Sequence, residues 1–565
     1  MNGNSITISV GSDSSKDLFS RLGTINPTHC VESDLISIRT NGTVFDSERH
    51  LFIVLGTPLP FPKTVPESWE EAVTSFKEYD GVFNFFYWDK LANKLVIATD
   101  FLGLWPLYCK HEGKDILFSS ATRAFSGDFD PVGWGAFFTL GSAVGSHTLT
   151  HGVQRVDGGS IWTIDLVDRQ YQIRRYWSLN TSTPDNSYSL SDIHERLHQS
   201  MKRTLDEAPD VSQSIMMSGG FDSRLMMAML SETNANVQPI VVSHYDENSD
   251  ADARFALTIL KKFGIKSSIQ TPDYDFFSSE SFLDYLFNSD AETPSLYLFI
   301  AQVFQFIPPG MVWDGLLPGC TLVNPLHEVE DGGCFASFLA QEGKSIKGPV
   351  WNAVREVFRS DIADSFEEGF RKAWKEVTSQ YSDDEDGIAR YYLENRARHR
   401  TGINPFKAFQ SKSQVVTLGM TKDYVEAAMA IPATEKRNHR LYRELFREYH
   451  RRALSAPLVH GNKLEPPEHF SPKFQLFCAY NRINEELRKH PRLIRSLGLN
   501  SQYRGFSPSA FLGREFMRSE DPALDPKFLD KIKNNKSVSP ISKKLLFHWK
   551  VWRSLREGRF YEMLL

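Results

Sequence analysis

The sequence predicts an α/β protein in which packed antiparallel sheets are followed by a three-layer domain with a parallel sheet. Up to about position 178, short strand patterns such as 82–88 and 94–98 lie between turn residues. From Leu190 onward, strands alternate with helices long enough to serve as crossovers between parallel strands. After about position 350 helical patterns dominate, so we expect a helical C-terminal extension.

A polar segment is predicted to separate the two domains. Residues 179–189 contain few apolar side chains and are interrupted by Pro184, a composition typical of linkers between compact units. The predicted domains are therefore 1–178 and 190–565, joined by the linker 179–189.

The start of the second domain can be predicted element by element from its pattern of apolar residues. Helices and strands are expected to alternate there, because amphipathic stretches follow short apolar runs. The predicted elements are a helix from 190 to about 207, a strand at 214–217, a helix at 222–232, a strand at 237–243 and a helix at about 250–263.

The composition excludes several classes of protein. The chain has 565 residues, of which 41% are hydrophobic, and a net charge of −6, so we expect more than one domain and no binding of nucleic acid. No apolar run approaches the roughly 18 residues that span a bilayer, and the first ten residues form a strand pattern rather than a secretory signal. The five cysteines show no C-x-x-C spacing. These observations predict a cytoplasmic protein with reduced thiols.

The segment Ser218-Gly219-Gly220-Phe221-Asp222-Ser223 is the strongest candidate for chemistry. It lies where a buried strand turns into a helix, a position that presents backbone N–H groups to an anion. The two glycines allow a phosphate to approach closely, and the serine hydroxyls add donors. A carboxylate beside a phosphate requires a cation, so Asp222 predicts bound Mg²⁺. The alternative is a glycine turn with a capping aspartate.

This loop resembles the pyrophosphate loop of the ATP pyrophosphatases, and its surroundings resemble the asparagine synthetase group, which includes β-lactam synthetases and lasso-peptide cyclases. The segments 80–83, 99–108 and 118–120 are similar to the glutaminase domain of that group, in the same order. The resemblance implies an N-terminal Ntn-type αββα sandwich and a C-terminal ATP-pyrophosphatase domain of the adenine nucleotide α-hydrolase-like fold.

The resemblance also implies roles for individual residues. Met216, Val242 and Ser243 would lie beside the adenine of ATP, and Lys463 in the segment 454–463 matches the group's catalytic lysine. Lys463 would stabilise negative charge that develops on phosphate and on the tetrahedral intermediate. Its alternative is an exposed surface lysine.

One departure from the group concerns glutamine hydrolysis. The group's glutaminase uses an N-terminal cysteine, whose α-amine acts as the base, whereas this sequence has Asn2. Cys30 lies inside a strand-like segment. We therefore expect no glutamine hydrolysis by the family's route, and an amine supplied by the substrate or by free ammonia.

A second departure concerns the other magnesium ligand. In one register Asp314 is that aspartate, and Met311 then occupies the position of the group's general base, so we name no base. In the other register Asp314-Gly315 opens the turn, the metal position falls on Gly319 and the second ligand is missing. A further alternative is that Asp314 only caps a turn.

The expected function is that of an AMP-forming ligase, which adenylates a carboxylate with ATP and Mg²⁺ and joins it to an amine, as in macrolactam or β-lactam formation. The alternatives are an amidating enzyme fed by free ammonia and a pseudoenzyme scaffold. The expected substrate is a small molecule or peptide with a carboxylate and an amine. A protease, a precursor peptide and a second copy of the chain are the partners considered.

Two further patterns have competing interpretations. His194-Glu195-Arg196-Leu197-His198 matches the H-E-x-x-H helix of zinc proteases, but an apolar stripe at four-residue spacing favours a packed helix, with Glu207 as the one distant candidate for a third ligand. Four arginines crowd one helical stretch and are expected either on a solvated face or against an anionic substrate. They are Arg390, Arg396, Arg398 and Arg400.

Overall fold

The computed structural model describes most of the chain. The residues described are 5–11, 27–179, 189–233, 235–243, 250–273, 275–292, 300–326, 332–341, 348–460, 463–466, 472–488, 511, 514–534 and 536–560. Asn2 and nearly all of the predicted linker lie outside these residues, so the domain boundary at 179–189 stays a prediction.

The N-terminal part consists of two six-stranded antiparallel sheets. One has the strand order β10-β8-β9-β1-β3-β2 and the other β12-β11-β7-β6-β5-β4. Their strands are β1 (Ile6–Val10), β2 (His29–Glu32), β3 (Ile36–Thr40), β4 (Thr43–Asp46), β5 (His50–Leu59), β6 (Asp80–Asp89), β7 (Lys94–Thr99), β8 (Tyr108–Glu112), β9 (Asp115–Ser119), β10 (Val153–Arg155), β11 (Ser160–Asp165) and β12 (Tyr171–Arg175).

These sheets pack face to face because alternate side chains point to opposite sides of each strand. On β5, Leu51 and Ile53 belong to the core between the sheets, whereas Phe52 packs on the outer side around Ala72 of helix α1 (Trp69–Ser75). A helix therefore covers the outer face of the second sheet, as the predicted sandwich requires.

The second part is built on a five-stranded parallel sheet. Its strand order is β15-β14-β13-β16-β17, and each neighbouring pair is parallel. The fold-class prediction is confirmed in both halves. The strands are β13 (Gln213–Met217), β14 (Val237–Val242), β15 (Ile269–Gln270), β16 (Met311–Asp314) and β17 (Gln414–Thr417), and a separate hairpin is formed by β18 (Leu458–His460) and β19 (Lys463–Glu465).

Helices surround the parallel sheet and continue beyond it. Among the described residues, no helix is both long and apolar enough to cross a bilayer. After α1 the α-helices are α2 (Pro131–Leu140), α3 (Leu190–Asp206), α4 (Phe221–Leu230), α5 (Ala251–Lys262), α6 (Glu280–Asn288), α7 (Ala301–Phe304), α8 (Leu316–Thr321), α9 (Phe335–Gln341), α10 (Pro349–Val357), α11 (Ser360–Thr378), α12 (Glu385–Tyr391), α13 (Lys422–Ala430), α14 (Arg440–Glu448), α15 (Arg451–Leu454), α16 (Pro472–Arg488), α17 (Glu515–Arg518), α18 (Pro526–Lys533) and α19 (Pro540–Arg556).

Shorter helical segments of other types complete the fold. Two consecutive stretches are π-helical, Tyr392–Thr401 and Asn404–Ala408. The 3₁₀ segments are Phe76–Glu78, Thr122–Ala124, Phe276–Ser278, Phe409–Ser411 and Ala433–His439.

Helix α2 of the N-terminal part packs against helices from the far end of the chain. Gly135 of α2 lies so close to α11 that an added Cβ would come within 2.0 Å of the Phe366 carbonyl oxygen. Trp134 packs on Trp549 of α19, with ring centroids 4.9 Å apart. The helical extension is therefore packed against the N-terminal part as well as the parallel sheet.

Candidate functional site

The cavity that contains the predicted site lies at the topological switch point of the parallel sheet. The chain passes from β13 to β14 on one side and later enters β16 on the other side of β13, and ligands of such sheets bind at the carboxyl ends of the strands on either side of the reversal. A cavity of about 540 Å³ is found there. It is lined by the described predicted residues Met216, Ser218, Asp222, Ser223, Val242 and Asp314, among others.

The glycine-serine loop is held by hydrogen bonds within the protein. The N–H of Gly219 donates to Asp252 Oδ1 at 2.9 Å, and the N–H of Gly220 donates to Ser218 Oγ at 3.3 Å. The Ser218 N–H donates to Ser223 Oγ at 3.1 Å. Side chains that the fold brings together accept these three N–H groups in this structure, and phosphate binding by the loop stays a prediction.

Helix α4 begins beside the cavity. Its N-cap residue, Gly220, has no side chain to accept a bond from the first turn, and the first N–H groups of a helix have no partner inside the helix. Asp222 and Ser223 of that turn both line the cavity. Anion binding at this helix end remains a prediction.

Gly219 is required by close packing rather than by a left-handed backbone. A Cβ added at this position would come within 3.0 Å of Val459 Cγ2 and 3.1 Å of Phe255 Cβ. The backbone N–H of Val459 also donates to the Gly219 carbonyl at 3.0 Å. The loop therefore packs between α5 and the hairpin β18–β19.

Three carboxylates around the loop have raised pKa values. Burial raises the pKa of Asp222 to about 6, although a hydrogen bond from Tyr442 opposes the shift. Burial and the nearby charge of Asp222 raise the pKa of Asp314 to about 7, and burial raises that of Asp252 to about 6. A divalent cation would relieve this unfavourable charge, and carboxylate oxygens are ligands that Mg²⁺ prefers.

The structure bears on both registers proposed for the second metal ligand. Asp314 ends β16 and lines the cavity with Asp222, and the N–H of Leu316 stabilises its charged form. Gly319, the alternative position, packs against the Asp222 carboxylate, since an added Cβ would lie 2.9 Å from Asp222 Oδ2. Both candidate positions therefore lie near Asp222, and the assignment of Asp314 as the second magnesium ligand stays a prediction.

Two of the three residues predicted to contact adenine line the cavity. Met216 and Val242 line the cavity, at the ends of neighbouring strands β13 and β14. Ser243 is fully buried, and its hydroxyl donates to Asp250 Oδ2 at 3.1 Å. Since Asp250 caps helix α5, Ser243 here has a structural contact, and its predicted contact with adenine stays a prediction.

The hairpin that contains Lys463 is anchored beside the loop. Arg224 of α4, almost fully buried, donates to the carbonyl oxygens of Ala453 at 2.7 Å and Ala456 at 3.0 Å. Lys463 begins β19, opposite His460, and its side chain lies outside the described residues. Its catalytic role stays a prediction.

Two of the four crowded arginines line the cavity. Arg396 and Arg400 do so from the π-helical segment 392–401, whereas Arg398 is buried and donates to the Val156 carbonyl at 2.9 Å. Arg390 pairs with Glu394 at 3.4 Å. A π-helix is rare and is frequently found at functional sites. The cavity thus has an acidic side at the loop and basic groups on the π-helical wall.

Comparison with known proteins agrees with this architecture. A glutamine amidotransferase domain family matches residues 66–177. The chain is 24% identical over 211 residues to the glutamine-hydrolysing asparagine synthetase 2 of Bacillus subtilis (strain 168), a match that covers 34% of this chain and 28% of that protein. It is 25% identical over 180 residues to asparagine synthetase 3 of the same strain, covering 28% and 27% of the two chains.

The chain is thus similar to asparagine synthetases over part of its length. Its residues 66–177 match a glutamine amidotransferase domain, as the resemblance implied. Its matches span less than a third of the length of those curated proteins.

Solved structures give weaker likenesses. The allosteric regulatory enzyme of purine biosynthesis is 13% identical, with a TM-score of 0.19 and coverage of 38% of this chain and 55% of that chain. Glutamine phosphoribosylpyrophosphate amidotransferase from B. subtilis, complexed with ADP and GMP, gives the same values. The fold of this chain is therefore described by its own strand order and register.

Sequence reasoning did not assign a role in the site to Tyr442 or Arg224. Tyr442 lies on α14, and its hydroxyl donates to Asp222 Oδ1 across 220 sequence positions. Arg224 directly follows Ser223, so the sequence did place a cation next to the motif. The contact of Tyr442 had no such local signal.

Proposed function

We propose that this protein is an ATP-dependent ligase that forms AMP and pyrophosphate, adenylates a carboxylate and couples it to an amine of the substrate. The observation that carries the proposal is the cavity at the switch point, where Asp222 and Asp314 line the same space as Arg396 and Arg400. A polyphosphate with Mg²⁺ suits the acidic side, and a carboxylate suits the arginines.

Residues of this chain have a proposed role in each step of the reaction. Arg396 and Arg400 orient the substrate carboxylate, whose oxygen forms a bond to the α-phosphorus as the bond to the pyrophosphate oxygen breaks. Asp222 and Asp314 would hold Mg²⁺, which neutralises charge on the departing pyrophosphate. The amine then attacks the acyl carbon, AMP leaves, and Lys463 is proposed to stabilise the tetrahedral intermediate.

The proposed amine source is the substrate, because the cysteines of the N-terminal part do not provide the family's nucleophile. Cys109 is buried, and burial raises the pKa of its thiol to about 12. Cys30 is exposed, but it lies within strand β2 and so has no free α-amine. Neither residue combines a thiolate with the adjacent amine that this glutaminase chemistry requires.

The products of ATP turnover test the proposal directly. Wild-type protein is incubated with ATP, Mg²⁺ and a panel of amino acids and peptides that contain both a carboxylate and an amine. We expect AMP and pyrophosphate in equal amounts, dependent on the acid, when nucleotides are separated by chromatography. Formation of ADP and phosphate would contradict adenylation, and an arm with simple acids plus ammonium salt distinguishes amidation by free ammonia.

A non-catalytic scaffold is the second candidate, and one observation favours it. Gly319, which has no ligand atom in its side chain, is packed against the Asp222 carboxylate. Calorimetric titration with ATP and Mg²⁺ separates the candidates, because failure to bind nucleotide would favour the scaffold.

A further inference from the structure

Three potential metal ligands from separate segments converge away from the cavity. His194 lies on α3, Glu232 follows the end of α4, and His450 lies between α14 and α15. One ligand atom from each residue lies within 4.8 Å of the others. We call His194, Glu232 and His450 the histidine cluster.

The two imidazoles are spaced like ligands of a single ion. His194 Nε2 and His450 Nε2 are 3.2 Å apart. Two nitrogens bound tetrahedrally to Zn²⁺ at 2.0–2.1 Å are separated by roughly 3.3 Å. This separation, which is that of a hydrogen bond between the two rings, is therefore close to the separation of two nitrogen ligands on one ion.

Both rings are held in orientation by neighbours. Glu232 Oε1 lies 3.0 Å from His450 Nδ1, so the carboxylate favours a proton on Nδ1 and leaves the Nε2 lone pair directed at His194. A carboxylate on the far nitrogen of a metal-binding histidine is the usual outer partner in such sites. The His194 ring stacks on Tyr449, with centroids 4.0 Å apart and planes at 11°.

The two histidines differ in burial. His450 is 5% exposed, whereas His194 is partly exposed.

The H-E-x-x-H motif itself does not form this cluster. Glu195 accepts a hydrogen bond from Gln199 Nε2 at 2.8 Å. Glu207, the candidate third ligand, accepts a bond from the Phe61 N–H at 3.2 Å, at the other end of α3. The packed-helix interpretation of α3 therefore holds, since Ile193 and Leu197 are buried, and only His194 of the motif belongs to the cluster.

We propose that His194 and His450 bind a divalent transition-metal ion such as Zn²⁺, with Glu232 orienting His450 and water completing the coordination. Imidazole is a preferred ligand of Zn²⁺, Cu²⁺ and Ni²⁺. The ion joins α3, the end of α4 and the α14–α15 junction. Because α4 is 10 residues long, about 15 Å at 1.5 Å per residue, the site lies at the opposite end of that helix from Asp222 and is independent of the proposed ligase activity.

Metal titration tests the site on untagged full-length protein whose thiols have been alkylated and whose metals have been removed with EDTA. We expect one Zn²⁺ per chain by calorimetry, a rise in melting temperature, and visible absorption of tetrahedral Co²⁺ when cobalt replaces zinc. A folded wild-type protein that binds no Zn²⁺ would overturn the proposal, whatever the variants do.

Variants assign the ligands. His194→Gln, at a partly exposed position, and His450→Gln should each weaken Zn²⁺ binding by at least about 100-fold, whereas Glu232→Gln should weaken it about 10- to 100-fold, the range for outer partners. His151→Gln removes an exposed histidine outside the cluster and should leave affinity unchanged. Equal affinity of His194→Gln and His151→Gln, with both folded by circular dichroism, would also refute the site.

Discussion

Two groups of carboxylates in this protein have opposite electrostatic surroundings. In the cavity, burial raises the pKa values of Asp222 and Asp314 to about 6 and about 7. Asp290 is fully buried, yet Arg123 Nη1 lies 2.5 Å from one of its oxygens and Lys407 Nζ 2.8 Å from the other. These cations hold the pKa of Asp290 well below its usual range.

From this difference we infer that Asp290 stabilises the fold, whereas Asp222 and Asp314 contribute to ligand binding. Asp290 also accepts the N–H of Thr122 at 2.6 Å, and Lys407 pairs with Glu292 at 2.7 Å, so this cluster joins the N-terminal part to the second part with its charges balanced. The carboxylates of the cavity have raised pKa values instead, and perturbed groups in a cleft are typical of functional sites. We therefore expect substitutions to affect stability in the first group and ligand binding in the second.

Removal of the cation from the balanced cluster should have the largest effect. Lys407→Met leaves Asp290 and Glu292 with less compensation, and loss of one partner of a buried ion pair costs about 3–5 kcal/mol. Urea unfolding measures the loss. Lys372→Met, at an exposed lysine, is the matched control and should change the free energy of unfolding by less than about 0.5 kcal/mol. A loss below about 1 kcal/mol for Lys407→Met would remove the contrast between the two groups.

Asp222→Asn should abolish function and spare the fold. The uncharged amide is a poor ligand for the cation that the pyrophosphate requires, so we expect AMP formation to fall by roughly 100- to 1,000-fold, the range for loss of one key electrostatic group. Chromatography of the nucleotides measures the rate. Asp210→Asn, at an exposed aspartate, should retain full activity. Full activity of Asp222→Asn would refute the metal assignment.

The pH dependence of stability should differ between Asp314 and its amide. The folded pKa of Asp314, about 7, is above the ordinary value of 3.8, so between these pH values the folded state binds more protons than the unfolded state. The contribution of Asp314 to the free energy of unfolding therefore falls as pH rises through this window. Above about pH 7 the carboxylate is charged in both states, and its destabilising effect is complete. In EDTA at pH 8, Asp314→Asn should stabilise the protein by on the order of 1 kcal/mol.

Melting curves at pH 8 and pH 4.5 check this sign. The advantage of Asp314→Asn should shrink toward the acidic pH, whereas Asp210→Asn should show no such trend. Saturating Mg²⁺ and ATP should reverse the order at pH 8, because only wild type gains the ligand. A variant less stable than wild type in EDTA at pH 8 would show that the Asp314 carboxylate is compensated after all.

Loss of the tyrosine hydroxyl should have the smallest effect. Tyr442→Phe removes the hydrogen bond that lowers the pKa of Asp222, so protons should compete better with the cation. A single hydrogen bond contributes about 0.5–1.5 kcal/mol, which corresponds to a roughly 2- to 10-fold weaker Mg²⁺-dependent affinity for ATP by calorimetry. Tyr480→Phe, at an exposed tyrosine, is the control. An unchanged affinity in Tyr442→Phe would mean that this bond only positions α14.

Much of the local structure followed from periodicity and turn chemistry. The predicted strand 214–217 and helix 222–232 are β13 and α4 to within a few residues, because an apolar run and a glycine turn are properties of neighbouring residues. The partners of the loop N–H groups could not be predicted in this way. Asp252, which accepts the Gly219 N–H, belongs to a different helix.

The sequence by itself therefore determined the α/β class, the order of elements around the loop and the residues of the loop, since these depend on contacts between near neighbours. Only the tertiary structure decided that Arg396 and Arg400 line the cavity of Asp222, and that His194 meets His450 across 256 positions. No periodic pattern connects segments so far apart. Their proximity depends on how strands are ordered in the sheet and how helices pack on it.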